Sequence, residues 1–284
     1  MIEHKDWVTE KWQNVEIRYR VRSMIYDEKS DFQHMQLVDT YQYGKMLILD
    51  GIVQTTENDE FFYHEMMVHV PMLSHPDPKK VLIIGGGDGG ILREVLRYRS
   101  IEKATIVEID PLVIEFCREH LPGISKGAFD DDRTDLIIED GAVYVNETKE
   151  RFDVIIIDSP DPIGPARILF SEEFYRDVHS VMVPDGIMVR QTGSTNMQPD
   201  EQKEGFALLK GIFTHTMFYV YTVPTYIGGL FSSVFCSDSV NPLDINYEEL
   251  KRKFALTSIE TLYYNPGIHL GAFHVPGFMK ERLQ

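Results

Sequence analysis

Cysteine is scarce in this 284-residue chain: Cys117 and Cys236 are the full complement, each inside an apolar stretch and neither in a CxxC or metal-ligand spacing. That excludes a disulfide framework and predicts reduced core thiols in a cytoplasmic protein. Positive charge is in short supply too. Lys and Arg number 28 against 45 Asp and Glu, a formal net charge of -17. Such a balance argues against nucleic acid or an anionic membrane as a partner and suits small cationic ligands. No apolar run reaches the roughly eighteen residues of a membrane span. The opening Met1-Ile2-Glu3-His4-Lys5-Asp6 lacks the apolar core of a signal peptide. Internal repeats and low-complexity tracts are missing as well. What remains is an ordinary globular composition, 43% hydrophobic and 26% charged, with length for one large domain or two smaller ones.

Two patterns divide the chain, and they predict a β unit over residues 1–57 and an α/β unit over 58–284. Val15 to Tyr26, His34 to Asp39 and Lys45 to Thr55 carry strand-forming β-branched and aromatic residues. Asp50-Gly51, between two apolar runs, predicts a type I′ hairpin. Thr56 and Asp59 have capping-box spacing ahead of a helix through Phe61, His64 and Val68. Pro71 is expected to kink or end that helix. From Lys80 onward, apolar strands at 81–84, 104–109, 135–138 and 153–158 alternate with helical segments near 91–98, 111–120 and 141–149. Further strands are expected at 187–191, 217–222 and 231–236, the last two forming a hairpin. Alternation of this kind predicts a Rossmann-like, doubly wound sheet of about seven strands, preceded by a small antiparallel β unit.

Ligands of such sheets sit outside the carboxyl ends of the strands, and this chain places acids there repeatedly. After the first strand comes Gly85-Gly86-Gly87-Asp88-Gly89-Gly90. A glycine turn leading into a helix normally attracts anions, through backbone N–H groups and the helix dipole. Asp88 occupies that positive end, so the turn is shaped for a nucleoside with a cationic tail. Asp88 could equally be a plain helix cap. After the second strand, Glu108 has the spacing of a ribose-binding carboxylate, whereas Asp110 before Pro111 reads as an N-cap. Asp140 before Gly141 could accept from an adenine amino group or cap the next helix. The fourth strand ends in Asp158-Ser159-Pro160-Asp161-Pro162-Ile163-Gly164-Pro165, a stiff loop carrying two aspartates. An aliphatic amine arrives as ammonium, with a pKa near about 10. Carboxylates can hold it, and one can then take its proton as a general base. Group transfer from an adenosyl donor to an amine is the reaction class this pattern suggests.

These stretches, in order, resemble the polyamine aminopropyltransferases, the family that includes the spermidine synthases. The resemblance runs through Asp50-Gly51-Ile52-Val53-Gln54-Thr55-Thr56-Glu57, Asp59-Glu60-Phe61, Tyr63-His64-Glu65-Met66, His75-Pro76 and Gly85 to Gly90. It continues through Val107-Glu108-Ile109-Asp110, Asp140-Gly141, Asp158 to Ala166, Leu169-Phe170-Ser171, Phe174-Tyr175 and Pro224-Thr225-Tyr226. It implies decarboxylated S-adenosylmethionine as donor, a diamine as acceptor, no metal or bound cofactor, and a homodimer or homotetramer. By the same resemblance Gln33, Gln54, Gly85, Asp88, Glu108, Asp140, Gly141 and Pro165 hold the donor. Tyr63, His64, Asp88, Ser159, Pro160, Asp161 and Tyr226 surround the aminopropyl and acceptor chain with Asp158, the implied proton acceptor.

The pattern departs from the family in one place. Where many spermidine synthases carry a glutamate or another polar residue defining the far end of the diamine, this chain reads Thr192-Gly193-Ser194-Thr195. Putrescine is the first choice of acceptor; cadaverine, agmatine and longer polyamines stay open. The run Asp130-Asp131-Asp132-Arg133 is expected to be a solvated loop. A methyltransferase of the same fold is the competing class, disfavoured because Asp88 would face the methionine carboxylate. A nicotinamide dehydrogenase lacks support in the loop spacing. A non-catalytic polyamine-binding protein would have no need of Asp158.

Overall fold

A computed structural model describes residues 6–159 and 168–282. Strands β1 (Trp7–Trp12), β2 (Val15–Lys29), β3 (His34–Thr40), β4 (Gly44–Leu49) and β5 (Ile52–Thr56) form one antiparallel sheet in sequence order. The expected hairpin joins β4 and β5. Asp50 and Gly51 both have positive φ, +49° and +84°, and Leu49 pairs with Ile52, the geometry of a type I′ turn. Strand β1 is an addition to the sequence reading, which starts the sheet at Val15.

After this sheet comes α1 (Glu60–Ser74), then β6 (Lys80–Gly85), α2 (Gly90–Leu96), β7 (Lys103–Glu108), α3 (Pro111–His120), α4 (Pro122–Ser125), β8 (Thr134–Ile138), α5 (Gly141–Glu147) and β9 (Phe152–Asp158). The described chain resumes before α6 (Glu172–Ser180) and continues through β10 (Met182–Ser194), α7 (Pro199–Lys210), β11 (His215–Thr222) and β12 (Leu230–Ser237). It ends with α8 (Tyr247–Thr257), α9 (Pro266–Ala272) and α10 (Gly277–Arg282). The seven-stranded sheet has the order β11-β12-β10-β9-β6-β7-β8. Strands β6 to β10 run parallel, and β11 and β12 are an antiparallel hairpin at one edge. The fold is the expected Rossmann-like, doubly wound α/β sheet. Strand order reverses between β6 and β9, the switch point where such sheets open a crevice.

Alternation along each strand divides the core into two layers. Val81, Ile83, Ile106 and Ile156 pack with Met66, Val70, Leu92 and Val95 of α1 and α2. Leu82, Ile84, Ile155 and Ile157 pack with Tyr144, Phe174, Val178 and Leu209 of α5, α6 and α7. Burial on both faces is why these strands read as unbroken apolar runs. The N-terminal sheet sits on α3, with Met35, Leu37 and Leu47 against Val113, Phe116 and Cys117. Both cysteines are buried free thiols.

Three local expectations change. Thr56 and Asp59 do bond reciprocally, hydroxyl to carboxylate at 2.6 Å and N–H to hydroxyl at 3.3 Å. Thr56, however, closes β5, and Asp59 is the residue preceding the helix. The second Asp59 oxygen accepts from the N–H and hydroxyl of Thr225 at 2.9 and 2.7 Å, so the motif fastens the N-terminal sheet to the turn after β11. Pro71 does not end α1, which runs to Ser74, while the Pro71 carbonyl accepts from His75 N–H. Arg133 is a clamp rather than part of a solvated loop: it pairs with Asp131 and donates to the carbonyls of Leu96 and Tyr98.

Glu65 in the middle of α1 is buried and accepts three backbone N–H groups, from Leu262 at 2.8 Å, Tyr263 at 2.8 Å and Tyr264 at 2.7 Å. It anchors the segment between α8 and α9. Glu65→Ala leaves those donors without a partner and is expected to cost about 3 kcal/mol or more. A fall in the urea midpoint of unfolding is the measurement that checks it.

Candidate active site

The turn after β6 and the end of β9 meet because Gly85 lies directly opposite Asp158 in the parallel register. A Cβ on Gly85 would stand 2.1 Å from the Asp158 carbonyl oxygen, and its φ of +81° is one that side-chain-bearing residues rarely adopt. Gly86 N–H donates to that same carbonyl at 3.2 Å. This close approach puts the Asp158 carboxylate beside the glycine turn. Tyr63 of α1 donates its hydroxyl to Asp158 Oδ1 at 2.5 Å. Burial, with the charge of Asp88 added, pushes the Asp158 carboxyl up to about 6, despite the opposing Tyr63 bond and His64 charge.

Asp88 bonds locally at the start of α2 and also reaches across to α1. Its Oδ1 accepts from Gly90 N–H at 2.8 Å, a local cap, and its Oδ2 lies 3.3 Å from His64 Nε2. Burial opposes ionisation of Asp88, but the His64 charge and the Gly90 bond outweigh it and hold the carboxyl below its ordinary value. His64 can lie there because position 90 is glycine; a Cβ would come within 2.2 Å of its ring. Burial likewise disfavours the charged imidazole, yet Asp88 and Glu60 raise its pKa to about 10.

Glu108 at the end of β7 is pushed up to about 7 by burial, with the Asp110 and Asp158 charges added. Asp110 is the α3 cap, bonded to Leu112 N–H, and it also accepts from Ser30 and Gln33 side chains at 2.7 and 3.0 Å. Asp140 caps α5 through Ala142 N–H at 2.8 Å. One cavity of about 610 Å³ is lined by Gln33, Gln54, Tyr63, His64, Gly85, Asp88, Glu108, Asp140, Gly141, Asp158, Ser159 and Tyr226. Every described residue that the sequence singled out for the site therefore meets in one place. Pro160, Asp161 and Pro165 lie outside the described residues.

Both units of the chain match family models. Residues 60–246 match the spermine/spermidine synthase domain and residues 6–57 the spermidine synthase tetramerisation domain. The chain belongs to the spermine/spermidine synthase family. It is 45% identical to the polyamine aminopropyltransferase of Ruegeria sp. (strain TM1040), over 92% of each chain. Its fold superposes on a spermidine synthase solved in complex with the transition-state analogue AdoDATO, with a TM-score of 0.94 and 41% identity over 99% of this chain and 96% of the other. The spermidine synthase from Thermotoga maritima aligns at a TM-score of 0.90 and 38% identity, over 99% and 95%. With its relatives, the chain is an aminopropyl-transferring enzyme.

The cavity region also includes residues that sequence reasoning passed over. Gln191 ends the apolar run of β10 and is buried; it donates to the Ser159 carbonyl at 3.0 Å and accepts from Gly193 N–H at 2.7 Å. A polar residue closing an apolar parallel strand was the available signal. Glu10 and Trp12 of β1 also line the cavity, and nothing in their local pattern marks them. At the far end, Gly193 has a φ of +73° and leaves no room for a side chain: a Cβ would stand 2.0 Å from Gln198 Oε1. Ser194 Oγ is buried there without a hydrogen-bond partner among the described residues.

The Glu108 carboxyl has a folded pKa above its unfolded value. Its buried charge therefore destabilises the fold as pH rises from about 4.5 through about 7, and costs nothing below that window. Glu108→Gln is expected to match the wild type near pH 5 and to be more stable near pH 8 by up to about 3 kcal/mol. Thermal unfolding of the ligand-free proteins at the two pH values checks the sign.

Proposed function

We propose that this enzyme moves the aminopropyl group of decarboxylated S-adenosylmethionine to putrescine, giving spermidine and methylthioadenosine. The carrying observation is the convergence of Asp88, Glu108 and Asp158 on one cavity at the strand-order switch. Carboxylates in a poorly solvated pocket favour cationic ligands. A donor with its own carboxylate would meet Asp88 unfavourably, whereas a donor ending in an amine meets it with opposite charge. The solved relative bound to the transition-state analogue AdoDATO supports the same class of chemistry.

In this reading Gln33, Gln54, Gly85, Glu108, Asp140, Gly141 and Pro165 hold the adenosyl part, with Asp88 at the aminopropyl amine. The acceptor lies among Tyr63, His64, Asp158, Ser159, Pro160, Asp161 and Tyr226. Tyr63, Tyr226 and Phe231 form an aromatic wall, with ring centroids 4.9–5.9 Å apart, suited to an aliphatic chain carrying ammonium groups. Glu10 lines the same cavity, and its charge reaches Tyr226, supporting an acceptor with a second amine. Asp158 accepts a proton from the attacking amine. The amine lone pair then forms a bond to the methylene carbon beside the sulfonium, the C–S bond breaks, and its electron pair neutralises sulfur in methylthioadenosine. The protein contributes positioning and proton removal.

Residues 1–57 and 58–284 are read as two units, the first serving assembly. Exposed Met24 and Ile25 on β2, together with the matched tetramerisation model, support a homodimer or homotetramer. The cytoplasm is the proposed location.

Incubation with decarboxylated S-adenosylmethionine and a panel of amines, read by mass spectrometry, is expected to yield spermidine most rapidly from putrescine. Faster product formation from cadaverine, agmatine or spermidine would reassign the acceptor. Tighter binding of S-adenosylmethionine than of its decarboxylated form would overturn the donor reading. Asp158→Asn should retain donor binding and lose at least ~100-fold in turnover. Because ionised Asp158 is the reactive form, kcat/KM in the wild type should rise with pH through about 6. A flat acid limb would remove Asp158 from that role.

A further inference from the structure

Beyond lining the proposed acceptor pocket, His64 has no step in the displacement chemistry, yet its ring is held on both sides. It is 2% exposed, with Nδ1 2.6 Å from Glu60 Oε2 and Nε2 3.3 Å from Asp88 Oδ2. Carboxylate oxygens accept and do not donate, so a ring held between two of them needs a proton on each nitrogen, and only the imidazolium has both. Gly90 packs against the ring and Gly90 N–H occupies the other Asp88 oxygen. Glu60 is fixed in turn: Arg93 donates to both of its oxygens at 2.9 Å, and to Glu94 and the Ile124 carbonyl. Glu60, Asp88, His64 and Arg93 thus form a buried foursome with no net charge.

An ammonium arriving at Asp88 disturbs that balance, because it meets a cation already seated there. We propose that His64 exchanges its proton for the ammonium of the aminopropyl donor, with Glu60 as the positioning residue that decides which nitrogen keeps its hydrogen. This rests on the donor reading above. The Nε2–H bond breaks and its proton leaves to solvent, while Nδ1–H stays on Glu60. The freed Nε2 lone pair accepts one N–H of the ammonium and Asp88 Oδ2 accepts another. One cation replaces another, so the charge beside Asp88 is unchanged. A ligand without an amine, such as methylthioadenosine, has no means of displacing the proton.

Other titratable groups face this position: Asp158 from β9, Glu108 from β7, Tyr63 from α1, Tyr226 from the turn after β11, and Glu94 behind Arg93. Burial sets Asp158 near 6 and Glu108 near 7, and it holds Tyr63 and Tyr226 well above the ordinary tyrosine value. Glu94 is a carboxylate throughout, since its paired cations outweigh burial. At about pH 8.5 the acids are ionised and the tyrosines protonated, while a free aliphatic amine is still mostly ammonium. His64 is then the group in this set with a proton to give.

Calorimetric titration at about pH 8.5, in buffers of differing ionisation enthalpy, counts the protons. Decarboxylated S-adenosylmethionine is expected to release about one proton per site and methylthioadenosine none. His64→Gln should bind the donor with no release, and Glu60→Gln should lower the release to well under half a proton, with methylthioadenosine binding reporting an intact fold. A merely structural role for either residue would leave the proton count unchanged. Proton-neutral binding of the donor to the wild type, or wild-type release by His64→Gln, overturns the proposal and leaves the donor reading standing. Failure of the donor to bind overturns both. If Glu60→Gln does not bind methylthioadenosine, the His64→Gln count decides.

Discussion

The architecture turns on one steric constraint, the contact between the ends of β6 and β9. Gly85 lies so close to the Asp158 carbonyl that no side chain fits between them. That approach carries the glycine turn, with Asp88, up to the Asp158 carboxylate at the point where strand order reverses. Hydrophobic burial on both faces of the sheet holds the two strands in register, so a functional distance is set by core packing. The chemistry at the top of the sheet depends on the apolar layers beneath it.

Bringing acids together this way is unfavourable until something cationic joins them. Glu108 and Asp158 respond by holding protons to higher pH, whereas Asp88 stays ionised because His64 is beside it. The three acids therefore behave differently although all are buried. Asp88 has a resident counter-ion, while Asp158 has the neutral hydroxyl of Tyr63. A general base must be able to take up a proton near the working pH, and a residue clamped to a cation could not. The separation of the roles proposed for Asp88 and Asp158 follows from which neighbour each carboxylate was given.

The fold was legible because its signals are local. Apolar runs such as Val81–Ile84 and the Asp50-Gly51 turn dictate backbone conformation within a few residues. The acidic strand ends were legible because a doubly wound sheet gathers its carboxyl ends at one edge. The pairing of Asp88 was hidden: His64 lies on α1, in a stretch that reads as ordinary core helix, and its approach depends on the absent side chain of Gly90. Gln191 gave a weak signal as the polar end of a buried strand. Glu10 and Trp12 gave none, because their position depends on the N-terminal sheet seating on α3, through contacts such as Tyr26 on Phe116 that no spacing encodes.

This difference in legibility follows the two halves of the cavity. The half proposed for the adenosyl group is built mainly from the ends of β6, β7 and β8, neighbours in one sheet, with Gln33 and Gln54 added from the N-terminal unit. The half proposed for the amine is assembled from α1, the ends of β9 and β10, the turn after β11 and the N-terminal strand β1. Its shape is fixed by tertiary bonds such as Tyr226 hydroxyl to the Gln54 carbonyl at 2.5 Å and Asp59 to Thr225. At its far end Gly193 has no space for a side chain, so a glutamate there would have to displace Gln198. Gln198 thus fills the space beside Gly193, and β1 supplies a carboxylate, Glu10, to the same cavity. The N-terminal sheet thus contributes Glu10 and Trp12 to the part of the cavity proposed for the acceptor.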